Sequence, residues 1–94
     1  MARRLETLDS GTPVYCGEQR VGTVDGVYAE GNADVPEYLV VRWQSRGGMP
    51  VLIATKEVLS IEARGVTLMS EETEAYVTAP RFEDRLYPSL RRIH

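Results

Sequence analysis

A chain of 94 residues with 43% hydrophobic and 27% charged residues has the length and composition of one small globular domain. Its single cysteine excludes an internal disulfide framework, its apolar stretches fall far short of the ~20 residues of a transmembrane helix, and acidic residues interrupt the basic N-terminus, so we expect a cytoplasmic protein. Residues 12–79 carry five basic and ten acidic groups, whereas residues 80–94 carry four arginines and two acidic groups, and the acidic body disfavours general nucleic-acid or membrane binding.

The first half of the chain predicts three strands, at 12–16, 20–30 and 37–44. The valines of the second strand lie three apart, which would suit a helix, but two glycines would each cost about 1 kcal/mol there. A strand with a bulge near Asp25 fits better, and we expect Gly22 or Gly26 to adopt a backbone conformation unfavourable for other residues. Strict alternation in the third strand places Tyr38 and Trp43 on opposite faces.

The second half predicts a hairpin turn, a return strand, a short turn, a last hairpin and a short helix, at 45–48, 49–54, 55–59, 60–69 and 71–77. Ser70 can cap that helix, and Pro80 ends it. Five or six short strands followed by one short helix predict a mostly-β chain folded as a small barrel, because closure removes exposed sheet edges. We expect Val21, Val41 and Ile53 in its core.

Several segments follow a recognisable order and spacing. They are Gly-Thr-Pro-Val-Tyr (11–15), Arg-Val-Gly-Thr-Val-Asp-Gly-Val-Tyr (20–28), Glu-Tyr-Leu-Val-Val (37–41), Val-Leu-Ile-Ala (51–54) and Glu-Val (57–58). Over residues 8–76 the chain resembles the PRC-barrel family. The resemblance implies an SH3-like barrel that docks other macromolecules, and it brings no catalytic residues or cofactor with it. One branch of the family is a ribosome-maturation factor, so an RNA- or ribosome-associated assembly factor remains the alternative function.

The residues that carry chemistry do not form a familiar constellation. We find no nucleophile paired with a base, no zinc-ligand spacing and no phosphate-cradling loop, so the sequence predicts no enzyme, no metal and no cofactor. Cys16 lies within a strand, and a small packed residue is the simpler interpretation of it. Four carboxylates could offer oxygen ligands to a divalent ion but are more simply a solvated acidic rim: Asp25, Glu30, Asp34 and Glu37.

The C-terminal tail, residues 80–94, divides from a barrel domain at 1–79 and carries five large apolar residues, too many for a disordered segment. They can pack on the chain's own barrel, on a second copy or on a different protein. We expect order to come from another chain. Tyr38 and Trp43 leave two alternatives open, because one of them can be an outward-facing aromatic anchor or both can cap the ends of the barrel. The predicted partner-binding residues are Tyr38, Trp43, Phe82, Leu86, Tyr87, Leu90, Arg91, Arg92 and Ile93.

These features together predict a non-catalytic protein-interaction or adaptor module. It would form a homo-oligomer or act as a small subunit of a larger complex, with a protein partner and no membrane insertion. Docking would use the barrel faces and the apolar, arginine-containing tail.

Overall fold

One mixed sheet of seven strands organises the computed structural model, which describes Leu5 and residues 8–93. The remaining residues of the N-terminal lead-in, and His94, lie outside the described residues. The strands are β1 (Pro13–Cys16), β2 (Gln19–Glu30), β3 (Tyr38–Trp43), β4 (Met49–Ala54), β5 (Val58–Glu62), β6 (Gly65–Leu68) and β7 (Leu90–Arg92). The expected mostly-β class is confirmed.

The strands pair in the order β4-β3-β2-β1-β6-β5, and β7 pairs with β2. The β1–β6 pair is parallel and the other pairs are antiparallel. Within the described residues no ladder joins β4 to β5, so the sheet is not closed into the expected barrel. Part of the physical reason is that the tail occupies the edge of β4, where Val51 and Arg81 form an antiparallel bridge.

The long strand β2 bends where the sequence predicts a bulge, since its register with β3 shifts between Val24 and Gly26. The expected glycine conformation is wrong, however, because neither Gly22 nor Gly26 has a positive φ. Gly22 is required for space instead. A Cβ atom at Gly22 would lie 2.1 Å from the carbonyl oxygen of Arg42 on the neighbouring strand.

Both faces of β2, β3 and β4 are buried. The inner face contributes Val21, Val41 and Ile53 to the main core, which confirms the three predicted core residues. The outer face forms a second, smaller cluster from Tyr28, Val40, Leu52 and Phe82. Side chains alternate between faces along a strand, so a continuous apolar run such as 39–41 supplies both clusters.

Short 3₁₀ turns take the place of longer helices. The helix expected at 71–77 is a single turn, Thr73–Tyr76, whose last residue is buried. The Tyr76 ring packs against Trp43 with 5.8 Å between centroids, and its hydroxyl accepts a hydrogen bond from the Ser70 amide and donates one to Glu57. These contacts fix the chain after one turn. No helix in the described part of the chain has the length and apolarity to span a membrane.

Candidate functional site

The tail begins by covering the outer edge of β4. The amide of Leu52 donates to the carbonyl of Pro80 at 2.9 Å, and the amide of Phe82 donates to the carbonyl of Pro50 at 2.8 Å. These two bonds flank the Val51–Arg81 bridge. Residues 80–82 therefore act as a short extra strand that satisfies backbone groups on this edge of the sheet.

The tail then crosses the outer face of β4, β3 and β2. Phe82 is 7% exposed and packs into the outer cluster with Tyr28, its ring centroid 4.8 Å from that of Tyr28. Tyr87 stacks on the other side of Phe82 at 5.7 Å with an interplanar angle of 9°. Because its own chain covers Phe82, this residue offers almost no surface to a partner.

The tail ends as β7, paired with residues 28–30 of β2. The amide of Ile93 extends this pairing by donating to the carbonyl of Val27 at 2.8 Å. The guanidinium of Arg91 donates to the carbonyl of Ala33, and that of Arg92 donates to the carbonyl of Asp25. Both arginines are thus bound to the body of the same chain.

Of the three alternatives for the tail, the structure shows packing on the chain's own sheet. The expected need for another chain to order it is therefore wrong, because β4, the outer cluster and β2 already supply its contacts. Tyr38, Tyr87 and Leu90 are half-buried around the outer cluster, and Ile93 packs against the main core. Leu86 alone among the predicted apolar tail residues is largely exposed, at 53%.

Trp43 was the other predicted anchor, and its side chain faces inward. It is 3% exposed and packs against Tyr76 within the main core. Its placement opposite Tyr38 on β3 is confirmed, but a buried indole is a core residue and presents little surface for docking.

The opposite end of the strand order is open. Strand β5 pairs with β6, and among the described residues no strand or tail segment pairs with its other edge. Leu59 on β5 is 61% exposed, and Met69, which follows β6, is 54% exposed. An unpaired edge with large exposed apolar side chains beside it is the usual kind of surface for adding a strand from another chain.

These two side chains line a groove, which we call the β5 groove, with a volume of about 550 Å³. Its charged lining residues are Glu18, Glu71, Glu72 and Arg64. The Arg64 guanidinium pairs with Glu18 at 3.2 Å, donates to Gly17 and Thr67, and lies over the Tyr15 ring at 4.3 Å. The single cation of the groove is therefore engaged.

The carboxylates of Glu71 and Glu72 are exposed and form no ion pair with any described residue. With Arg64 held by Glu18, the carboxylates of Glu71 and Glu72 have no cationic partner among the described residues, and they line the same groove as two exposed apolar side chains.

The other titratable groups are packed rather than clustered. Burial raises the pKa of the Cys16 thiol, which keeps it protonated at neutral pH. Asp25, one of the four acidic residues considered as oxygen ligands, pairs with Arg42 at 3.2 Å, and Asp34 pairs with Arg91 at 3.6 Å. Within the described residues no three His, Cys, Asp or Glu side chains converge as a metal site would require.

A comparison with protein-family models, curated proteins and solved structures finds no match to this chain. The arrangement of its own residues is thus the basis for a functional interpretation. Sequence reasoning missed Leu59 and Met69, which the open edge and its groove make prominent. It assigned Glu71 and Glu72 to the start of a helix, although their exposed charge beside an apolar pair is a signal of a binding rim.

Proposed function

We propose that this protein is a non-catalytic, cytoplasmic protein-interaction module, either self-associating or a small subunit of a larger complex. The observation that carries the proposal is the unpaired edge of β5, with Leu59 and Met69 exposed beside it. Burying a leucine or methionine side chain is worth about 1.5–3 kcal/mol, so two such residues form a useful anchor once backbone pairing aligns a partner.

The contrast with the rest of the sheet supports this function. The chain uses its own tail to cover the β4 edge and the outer apolar face, whereas no residue in the described part of the chain pairs with the outer edge of β5. Native proteins commonly protect sheet edges from other chains, so an open, apolar edge fits a docking surface. The proposed PRC-barrel kinship, drawn from the sequence resemblance, also agrees with a docking role.

Binding through the tail is less well supported than binding through β5. Leu86 remains available, but Phe82 is covered and the two terminal arginines hydrogen-bond to carbonyls of the chain. The same hydrogen bonds hold the guanidiniums of Arg91 and Arg92 against the chain, so the proposed alternative, an RNA- or ribosome-associated factor, is less favoured than protein docking.

The test compares full-length protein with Leu59→Ser, Met69→Ser and the double variant. Sedimentation velocity measures self-association, and tagged protein returned to its native source measures partner capture. We expect the double variant to lose association by either readout, because it removes both exposed apolar side chains beside β5. Val35→Ser is the matched control, since Val35 is 68% exposed on the loop after β2.

Leu86→Ser tests, by the same two measurements, whether the tail contributes to association. Loss of association in that variant alone would move docking to the tail and overturn the role of β5. A full-length chain that stays monomeric and captures no partner above the level of the double variant would contradict the proposed function.

A further inference from the structure

We propose that the β5 groove binds an extended segment of a partner protein in which large apolar side chains are flanked by lysine or arginine. This inference rests on the proposed function and adds the chemistry of the partner. It follows from three neighbouring features: a β5 edge that no described residue pairs, two exposed apolar side chains that line the groove, and two carboxylates that form no ion pair with a described residue.

The unpaired strand determines the shape of the partner. Strand β5 spans Val58–Glu62, and its register with β6 shifts between Val58 and Ser60. The free edge still presents backbone N–H and C=O groups along a strand, which an incoming extended segment can pair. Alternate side chains of that segment then point to one face and can reach the groove that Leu59 and Met69 line.

Charge determines the composition of the partner. The groove has three carboxylates and one guanidinium, and the guanidinium already binds Glu18, Gly17 and Thr67. Glu71 and Glu72 therefore attract cations entering along the rim. They repel phosphate, which makes a nucleic acid the wrong occupant for this surface.

The same charges disfavour a second copy of the chain. Symmetric pairing of two β5 edges would bring the carboxylates of both grooves to one interface, and like charges across an interface oppose association. In a head-to-tail arrangement the tail would have to bring its arginines to the groove, but Arg81 and Arg85 are held by Glu83. The other two arginines of the tail, Arg91 and Arg92, are held by carbonyls of the sheet and its loops. A different protein with free basic residues fits better.

The chain contains one example of such pairing. The segment Leu-Arg-Arg-Ile at 90–93 adds to β2 as a strand, with apolar ends packed and arginines bound at the margin. The β5 groove offers the same combination of a strand to extend, apolar surface and acceptor groups, with carboxylates in place of carbonyls.

The experiment uses full-length protein and labelled peptides of about nine residues, the length of a strand with short flanks. One peptide alternates valine with lysine and threonine, and a second, matched peptide has glutamate in place of each lysine. Fluorescence polarisation should show about tenfold tighter binding of the lysine peptide, and the difference should shrink at about 0.5 M salt as charges are screened.

The variants locate the binding. We expect the double substitution Glu71→Gln and Glu72→Gln to lower the affinity for the lysine peptide by about three- to tenfold. The affinity for the glutamate peptide should not fall. Leu59→Ser should weaken the binding of both peptides, because either peptide would pack its apolar side chains against Leu59. Glu30→Gln is the matched control, an exposed carboxylate at the end of β2 outside the groove, and it should leave both affinities unchanged.

The outcomes separate the two proposals. Equal affinities for both peptides, each reduced by Leu59→Ser, would overturn the basic partner and keep the docking edge. Self-association that is lost in Leu59→Ser, without peptide binding, would assign the edge to a second copy and overturn the inference. Absence of both peptide binding and Leu59-dependent association would overturn the inference and the proposed function together.

Discussion

The two ends of the strand order receive opposite treatment. At β4, residues 80–82 pair with the edge and Phe82 completes a cluster on the outer face. At β5, the described residues leave the edge unpaired and two large apolar side chains exposed. Within Leu5 and residues 8–93, the chain therefore covers the sheet edge at β4 and leaves the one at β5 uncovered. The contacts on the β4 side therefore stabilise the fold, and the β5 side is where we expect association.

The largest expected effect lies on the covered side. Phe82→Ala should destabilise the protein by about 3–5 kcal/mol, because it empties the centre of the outer cluster. Urea unfolding measures the change. Leu86→Ala, four residues later and 53% exposed, should change stability by no more than about 0.5 kcal/mol. Equal effects of the two substitutions would mean that the tail does not pack as described.

The connection between the two sides provides the next test. Gly65 begins β6 with φ +135°, and a Cβ atom there would lie 2.2 Å from the carbonyl oxygen of Pro13 on β1. Gly65→Ala should therefore cost about 2–4 kcal/mol through backbone strain and separation of β6 from β1.

Gly47→Ala is the control, because Gly47 has φ +67° but open space around its Cβ position. It should cost only the conformational part, about 1–2 kcal/mol. If thermal denaturation shows the same loss for both variants, the close approach of β1 and β6 is not a constraint.

Alkaline pH should lower the free energy of unfolding through two buried tyrosines. Burial raises the pKa of Tyr28 in the outer cluster and of Tyr76 beneath the 3₁₀ turn above their ordinary value of 10.0. The folded protein then holds these protons more tightly than the unfolded chain. Their contribution to stability is fully present below pH 10.0 and is lost as the pH rises through the folded pKa values.

Urea unfolding at increasing alkaline pH measures this loss, and tyrosinate absorbance identifies the titrating groups. Tyr76→Phe should flatten part of the pH dependence, although it costs about 1 kcal/mol at neutral pH by removing bonds to Ser70 and Glu57. An unchanged pH profile in both Tyr28→Phe and Tyr76→Phe would contradict the assignment.

The smallest stability effect is expected at the open edge. Leu59→Ser should change the free energy of unfolding by no more than about 0.5 kcal/mol, since the side chain is 61% exposed. Ile61→Ser, two residues along the same strand and 8% exposed, is the contrasting variant and should destabilise the fold by about 2–5 kcal/mol. If Leu59→Ser strongly destabilised the protein, Leu59 would be a structural residue, and the β5 edge would no longer be a candidate site.

Much of the fold was predictable because the strands have simple patterns. The alternation in β3 and the glycine-marked bend of β2 predicted both strands, and Val21 and Val41 lie in the core as expected. Trp43, on the same face of β3 as Val41, was wrongly expected to bind a partner. The 3₁₀ turn at Thr73–Tyr76 was harder to predict, because the contacts of Tyr76 with Trp43 and Glu57 override the local helical pattern. Tertiary contacts of this kind have no signal in a short window of sequence.

The tail was recognised as important, but its location was not. Its apolar residues have near-helical spacing, and no local pattern indicates which surface they cover. A signal was present in β3 and β4, whose continuous apolar runs at 39–41 and 51–53 are typical of strands buried on both faces. Those runs required a cover on the outer face. The β5 groove was missed because Leu59 and Met69 lie apart in the sequence and line one groove only once β5 has paired with β6.

The strand pairing of β7 with β2 also has a consequence for the order in which the protein folds. It joins residues 28–30 to 90–92, among the most distant partners in the sequence, and closing so long a loop is slow. The β2–β3–β4 hairpins can form first, while their outer face is still exposed to solvent. The tail then packs on that face and buries it. We expect the amides of Leu52, Phe82 and Ile93 to exchange with deuterium together, at a lower opening free energy than the amide of Val24.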